Sequence, residues 1–303
     1  MKISVVIPCY RSEKTLKGVL DELKRTLDTR PEYTYEFILV NDCSPDGVQK
    51  VIEEYAKANT FTKAIRFTKN FGQHSALMAG YRHCTGDIIV SMDDDGQTPV
   101  DALFSLIDKL NEGFDVVIAA YEKNEHNFFR RVGSAINRLM ARSLIGMPKD
   151  LEATSFFVMR KLIKEEIIKY ENAYPYVLGL ILRTTNNIAN VQTKHRARAE
   201  GRSGYTLRKL LSLWMNGFTA FSVKPLRIAT VSGLFFAILG LISAVVVVVN
   251  KLTNPHVQVG WSSLMAILLF MGGVIMLMLG LIGEYVGRQY LSINKAPQYV
   301  IKD

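Results

Sequence analysis

Three carboxylates stand in a row at Asp93-Asp94-Asp95, followed by Gly96 and Gln97, directly after the apolar run at 88–92 (IIVSM). In an extended segment alternate side chains share a side, so Asp93, Asp95 and Gln97 offer three hard oxygen donors in one direction. That set suits Mg²⁺ or Mn²⁺ bridging a diphosphate, because such ions take one or two carboxylates and complete their shell with phosphate oxygens and water. A bare Asp-x-Asp is common in surface loops; its place at the carboxyl end of a buried-type strand gives it weight. Asp42 ends another apolar run, and acidic groups gathered on one rim are costly unless a cation sits among them. Phosphohydrolases with an aspartyl nucleophile use a related string, DxDx[TV]. Here Gln97 stands where its Thr belongs, and the string follows the fourth run instead of the first. The chain has neither GxGxxG nor GxxxxGK[ST], so dinucleotide and P-loop chemistry have no support.

The elements that must position these groups alternate. Residues 3–7, 37–40, 64–67, 88–92 and 116–120 read as short apolar strands, and 13–27, 48–58, 75–83 and 100–111 carry apolar residues at helical spacing. Continuously apolar strands separated by helices imply a parallel sheet covered on both faces. Ligands of such sheets bind beyond the carboxyl ends of the strands. Those ends are occupied by 8–13 (PCYRSE), 41–47 (NDCSPDG) and 93–97 (DDDGQ).

Of 303 residues, 49% are hydrophobic and 21% charged, which excludes a disordered chain and leaves room for one large domain plus an appendage. The mean hydropathy of +0.11 conceals a division. Residues 228–249 and 261–282 contain no Asp, Glu, Lys, Arg or His. At about 1.5 Å per residue each would reach roughly 33 Å, enough to cross a bilayer core, with two buried core helices as the alternative. The net charge is +9, a balance that first suggests nucleic acid. Here Arg196, Arg198, Arg202, Arg208, Lys209, Lys224 and Arg227 precede the first apolar stretch and Arg288, Lys295 and Lys302 follow the second, whereas only Lys251 lies between. The positive-inside rule then predicts a membrane hairpin with both ends of the chain cytoplasmic, and no nucleic-acid partner.

The expected organisation is a catalytic domain at 1–204, an interfacial helix and linker at 205–227, the hairpin at 228–282 and a tail at 283–303. Within the linker, 205–221 is apolar with a basic edge and Trp214 at headgroup depth, an ordinary core helix being the other reading. Cys9, Cys43 and Cys84 show no CxxC spacing, which suits small buried hydrophobes in a reducing compartment. The run 3–7 is too short for a signal peptide. Among the histidines only His74, beside Gly72, is expected near the rim.

Further motifs extend the pattern. Val5-Val6-Ile7-Pro8-Cys9-Tyr10 with Glu13 is followed by Val40-Asn41-Asp42-Cys43-Ser44-Pro45-Asp46-Gly47, Lys69-Asn70-Phe71-Gly72 and 92–97 (MDDDGQ). Later come 198–205 (RAEGRSGY), 221–227 (FSVKPLR) and 283–288 (GEYVGR) with Pro297 and Tyr299. In this order, over nearly the whole chain, they resemble the VVPxYNEE, VDDxSxDGT, RNFG, MDADLQ, RxxGxSxY, FSxxPLR and GEYxGRxY…P-Y segments of glycosyltransferase family 2. Within that family the likeness is to the polyprenyl-phosphate glycosyltransferases, the group of dolichyl-phosphate mannose synthase, the bactoprenol glucosyltransferases and the undecaprenyl-phosphate aminoarabinose transferase. Arg11 and Ser12 replace the family's Asn-Glu, and Gly96 its Leu. The QxxRW of processive polysaccharide synthases is absent at Trp214 and Trp261.

The resemblance implies an α/β catalytic domain of GT-A type, Rossmann-like with a mostly parallel sheet, followed by a two-helix transmembrane hairpin. It implies inverting, metal-dependent transfer from a nucleotide-diphospho-sugar, UDP favoured over GDP by the tail, to a polyprenyl (undecaprenyl) phosphate. The place would be the cytoplasmic face of a bacterial inner membrane. Pro8, Tyr10, Glu13, Asp42, Lys69, Asp93 and Asp94 would hold the donor, and Asp93, Asp95 and Gln97 the Mg²⁺ or Mn²⁺. A phosphate monoester is already an anion near neutral pH, so it needs positioning cations more than a strong base. Arg131, Arg138, Arg198, Arg202 and Ser203 are the expected acceptor contacts. Asp95 and Arg131 are expected to act in catalysis, with Asp150 or Glu152 as the acidic base. Transfer to a glycan or protein acceptor, or a catalytically silent scaffold, are the competing readings. The family and Gly283xxxGly287 leave room for a homo-oligomer.

Overall fold

The computed structural model describes residues 1–121, 147–148, 151–193, 224–253 and 260–302. The expected acceptor contacts Arg131 and Arg138 and the interfacial helix at 205–221 lie outside them. The chain divides into two compact units, Met1–Thr206 with Lys295–Asp303, and Leu207–Asn294.

The first unit alternates strand and helix as the apolar runs require: β1 (Lys2–Cys9), α1 (Leu16–Leu27), β2 (Thr34–Asn41), α2 (Val48–Ala58), β3 (Thr62–Arg66), α3 (Gln73–His83) and β4 (Ile88–Ser91). A short 3₁₀ turn (Val100–Ala102), α4 (Leu103–Asn111), β5 (Val116–Tyr121), β6 (Phe157–Arg160), α5 (Lys161–Ile167), α6 (Val177–Thr184) and β7 (Ile188–Thr193) complete it. The strands form one sheet in the order β3-β2-β1-β4-β6-β5-β7. The sheet is mostly parallel, as expected: β6 alone runs antiparallel, to both β4 and β5, while the remaining pairs are parallel. The residues before β6 therefore arrive at the carboxyl end of β4, since Phe157 pairs with Ser91.

Helix positions follow burial. On α1 the side chains of Leu16, Val19, Leu20, Leu23 and Leu27 are buried at helical spacing, each worth about 1.5–3 kcal/mol when removed from water. They join Ile3, Val5 and Ile7 of β1 and Phe37 and Leu39 of β2 in the core. On the other face α3 lies directly on the sheet. A Cβ on Gly80 would run into Val6 and meet Val40 at 3.5 Å, so only glycine allows that approach. β1 continues through Pro8 to Cys9 instead of stopping at Ile7. Pro8 is tolerated because pairing with β4 has ended at Val6↔Ser91, where a missing N–H matters less. Cys9 and Cys84 are buried, Cys43 half-buried, and all three are free thiols.

At the amino end of the sheet a buried carboxylate ties strands together. Glu36 of β2 accepts from Ser4 Oγ (2.6 Å), the Thr85 N–H (2.6 Å) and Lys2 Nζ (3.0 Å), with Lys63 Nζ at 3.2 Å. Burial alone would raise its pKa, but these donors more than offset that and hold it at about 2.

The second unit contains α7 (Lys224–Thr253) and α8 (Trp261–Ile293), which include the two apolar stretches. Their rings meet at Phe236 and Phe270, with centroids 5.6 Å apart. Leu234, Phe235, Leu252, Met276 and Leu277 are more than 60% exposed. Among the described residues one helix, Phe270–Ile293, is long and apolar enough to cross a membrane, and Ala229–Gly240 is a shorter apolar helix.

Because the folded pKa of Glu36 lies below its ordinary value near 4.5, its ionised form stabilises the fold above that pH, and the contribution fades as pH falls toward 2. Glu36→Gln should lower the unfolding free energy by about 1–3 kcal/mol at neutral pH. Urea titrations of both proteins should show that difference shrinking between about pH 4.5 and pH 2.

Candidate active site

The sheet order reverses between β1 and β4: from β1 the chain proceeds outward to β2 and β3, and β4 returns to β1's other side. Crevices at such reversals are where open α/β sheets receive ligands. β1 outruns β4 here, pairing with β2 as far as Cys9↔Asn41 but with β4 only to Val6↔Ser91. The backbone N–H of Tyr10 reaches across to Asp94 Oδ2 at 2.9 Å, and Thr15 Oγ1 donates to the Asp94 carbonyl at 2.7 Å. Beyond this seam the Tyr10 ring is 43% exposed, with the Arg11 guanidinium carbon 5.5 Å from its centroid.

The loops after β1 and β2 are knitted together. Arg11 N–H donates to Ser44 Oγ (2.7 Å), Glu13 N–H to Asp46 Oδ2 (3.0 Å), and Gly47 N–H back to Glu13 Oε2 (3.0 Å). Asp46 also accepts from Ser44 Oγ at 2.5 Å. Burial would raise the Asp46 pKa, but these donors bring it below the usual carboxylate value. Arg11 (φ 59) and Cys43 (φ 50) sit in the left-handed region, a strain of the kind concentrated at functional rims.

Asp42 is buried to 3% exposure and turns its carboxylate onto a third loop. Oδ1 accepts the Phe71 N–H at 2.7 Å and Oδ2 the Gly72 N–H at 2.8 Å, while Asn70 Nδ2 reaches the Asp42 carbonyl at 3.2 Å. Gly72 adopts φ 91 and ψ 158, a conformation essentially reserved for glycine, and α3 starts at the next residue. Gln73 then donates to Asp93 Oδ1 at 2.7 Å, and Ser155 Oγ donates to Asp93 Oδ2. Asp95 turns back to accept the Gln97 N–H at 3.0 Å, with Gly96 at φ 74 between them. The Asp42 and Lys-Asn-Phe-Gly motifs are thus one assembly, and it reaches the acidic string through Gln73.

Electrostatics mark the rim as short of positive charge. Burial pushes Asp94 up to about 7, partly opposed by the Tyr10 N–H. Asp93 is raised by burial and by the charge of Asp95. Tyr121, at the end of β5, is pushed up to about 12 by burial and by Asp93 and Asp95 together. Asp42 is raised by burial despite its two N–H donors. A divalent cation among Asp93, Asp95 and Gln97 would relieve this repulsion, and the donors are the hard oxygens such ions take. Among the described residues no three His, Cys, Asp or Glu side chains gather as a metal cage. Two carboxylates and an amide leave most of an octahedral shell open, a donor set that suits an ion completed by a ligand's phosphates.

The structure brings Tyr10, Glu13, Asp42, Asp93, Asp94, Asp95 and Gln97 to one rim. Pro8 is buried inside β1. Lys69 is exposed, its Nζ 4.9 Å from the Phe71 centroid. Glu152 is described, its backbone clamped by Asn190 of β7 (N–H to Oδ1 2.8 Å, Nδ2 to C=O 2.9 Å). Arg131, Arg138, Asp150, Arg198, Arg202 and Ser203 lie outside the described residues. Sequence reasoning missed Gln73, Ser155 and Tyr121, whose single polar atoms carry no motif. His74 follows Gln73 at the start of α3; its ring meets Tyr176 edge-on at 5.1 Å, and burial lowers its pKa to about 4.

Comparison with known proteins agrees with this geometry. The profile of glycosyl transferase family 2 matches residues 4–168, and that of the GtrB C-terminal hairpin matches 224–289. A bactoprenol glucosyl transferase of Shigella phage SfII is 29% identical, covering 100% of this chain and 98% of that protein. The undecaprenyl-phosphate 4-deoxy-4-formamido-L-arabinose transferase of Proteus mirabilis is 30% identical, covering 99% and 93%. Among solved structures, glucosyl-3-phosphoglycerate synthase from Mycobacterium tuberculosis, in complex with Mn²⁺ and uridine-diphosphate-glucose, shares the fold. Its TM-score is 0.52 at 21% identity, over 72% of this chain and 79% of that one.

Two substitutions test the assembly. Ser155→Ala removes a donor from Asp93 and should weaken Mn²⁺ binding, read by electron paramagnetic resonance, by about tenfold. Gly72→Ala should lower unfolding stability by about 1–3 kcal/mol through backbone strain alone, since nothing lies within 4 Å of its Cβ position.

Proposed function

Since the chain belongs to glycosyl transferase family 2, and is a glycosyltransferase, we propose that it moves one sugar from a nucleotide-diphospho-sugar to a polyprenyl phosphate at a membrane surface, with inversion at the anomeric carbon. The observation that carries this reading is the acidic rim at the β1–β4 crevice, where Asp93 is held up by burial and by Asp95. Such a rim calls for a cation and a polyanion together. The acceptor is supported by relatives named for bactoprenol and undecaprenyl phosphate over the full length of this chain. Uridine-diphosphate-glucose bound to a protein of the same fold supports a nucleotide-sugar donor.

In this reading Tyr10 offers an exposed ring to the donor's base, and the loops bound by Glu13 and Asp46 shape the nucleoside pocket. Asp42 fixes the Phe71–Gly72 turn beside it, and Lys69 on that loop supplies a cation. Asp93, Asp95 and Gln97 would hold Mg²⁺ or Mn²⁺, which when bound neutralises charge building on the departing diphosphate. Gln73 and Ser155 keep Asp93 aimed. The incoming nucleophile is a phosphate oxygen, already anionic, so positioning outweighs proton removal. Arg131, Arg138, Arg198, Arg202 and Ser203 are proposed for that positioning, and Asp150 or Glu152 for what general-base help is needed. The segment 224–289, matched to a C-terminal hairpin, is proposed to place the catalytic unit at the cytoplasmic face of a bacterial inner membrane.

Purified full-length protein with undecaprenyl phosphate, Mn²⁺ or Mg²⁺ and radiolabelled UDP- and GDP-sugars should pass label to the organic phase from one donor. EDTA should abolish transfer, and Asp95→Ala should lower it by about a hundredfold or more. Nucleotide binding without lipid-phase label from any donor would overturn the acceptor assignment.

A further inference from the structure

The tail after α8 is built into the catalytic unit. Lys295 takes a left-handed φ of 50, ending the helix, and residues 300–302 then pair with 66–68, at and just beyond the carboxyl end of the edge strand β3. Phe67 forms an antiparallel bridge with Ile301, the Thr68 N–H donates to the Val300 carbonyl (3.0 Å), and the Lys302 N–H to the Arg66 carbonyl (2.7 Å). Covering an open sheet edge in this way satisfies backbone groups that would otherwise invite other chains.

Edge protection alone does not require the side-chain contacts that accompany it. Gln298, 6% exposed, spends its whole amide: Nε2 donates to the Tyr170 (3.3 Å) and Asn172 (3.0 Å) carbonyls, and Oε1 accepts from Arg82 at 3.1 Å. Arg82 of α3 also donates to Tyr299 Oη and to the Ile168 and Tyr170 carbonyls, each at 3.1 Å. The Tyr299 ring stacks on Phe67 at 5.2 Å and 8°, and Phe67 meets Phe71 edge-on at 5.7 Å. Phe71 is the residue whose N–H Asp42 holds, and Arg82 lies on the helix whose first residue, Gln73, bonds Asp93.

We propose that Tyr299 and Gln298 are positioning residues for the donor-binding rim, acting through Phe67 and Arg82 on the Phe71–Gly72 turn and on α3. This rests on the reading of that rim as the donor site. The tail continues the chain from α8, so a segment that comes after the helical unit in the sequence completes the support of the nucleotide pocket. A truncation there would reach the chemistry without touching a ligand.

The test uses the full-length protein and two readouts. Hydrogen exchange at the amides of Phe71 and Gly72 should quicken by roughly tenfold in Tyr299→Ala, stay near wild type in Tyr299→Phe, and leave β4 unchanged. Should Tyr299→Ala fail to fold, Lys302→Pro removes the backbone donor to Arg66 while keeping the Tyr299 ring and the Gln298 amide, and should quicken the same amides. Mn²⁺-dependent binding of UDP and GDP, measured by calorimetry, should weaken about tenfold in Tyr299→Ala for the nucleotide that the wild type binds, recover in Tyr299→Phe, and raise donor KM more than it lowers kcat. Unchanged exchange at Phe71 and Gly72 in both variants overturns the proposal. A wild type that binds neither nucleotide sinks the donor reading instead, and the exchange measurement still decides the tail's role.

Discussion

The grip of one carboxylate on two consecutive backbone amides organises this molecule. Asp42 sits where β2 ends, buried, and its only direct cost is desolvation. The Phe71 and Gly72 N–H groups offset part of it, each satisfied at hydrogen-bond distance. Everything downstream depends on that grip. It forces Gly72 into a conformation other residues resist, starts α3 at Gln73, and so aims Gln73 at Asp93 across the mouth of the crevice. Removing the carboxylate would leave two amides unpaired in a half-buried turn and free the start of a helix that packs on β1 through Gly80.

The two ends of the sheet solve opposite electrostatic problems. At the amino end Glu36 is surrounded by donors and cations and stays ionised well into acid. At the carboxyl end Asp42, Asp93 and Asp94 are all displaced upward by burial, and Asp93 and Tyr121 also by neighbouring carboxylates. A fold optimising stability alone would not leave its acids so poorly matched at one end while matching one fully at the other. The mismatch makes sense where a cation and a polyanionic ligand arrive together, because each then removes part of the other's cost.

How much of this was legible depended on whether the signal lay in side-chain pattern. β1 to β5 announce themselves as apolar runs, and the rim residues follow because parallel strands deliver their ends to one side. β6 and β7 escaped for physical reasons. β6 is four residues long, its apolar run 156–159 (FFVM) too short to tell from a helix segment, and β7 (IANVQT) is mostly half-buried and shows no continuous apolar stretch. The antiparallel course of β6 is what carries Ser155 to Asp93, and no pattern in the chain encodes it. The Asp42 grip was hidden likewise: its partners are backbone amides, which have no residue type to read. Tyr121 is visible only as the end of a strand until the sheet order places it beside the acids.

The tail bears on how the helical unit relates to a bilayer. By composition one described helix, Phe270–Ile293, qualifies as a span, and one crossing taken alone would put the chain before α7 and the tail after α8 on opposite sides. Yet Ile301 pairs with Phe67 and Gln298 bonds the segment after α5, so the tail after α8 folds with the unit that begins at Met1. On the proposed reading, with the catalytic unit and its tail on one side of the bilayer, the helical unit crosses an even number of times. α7 and α8 expose large apolar side chains and meet at Phe236 and Phe270, and the proposed hairpin would cover that surface with lipid. Zero crossings would leave them in water at roughly 25 cal/mol per Å² of apolar surface. The tail's pairing with Phe67 thus supports the proposed hairpin with an observation independent of hydropathy.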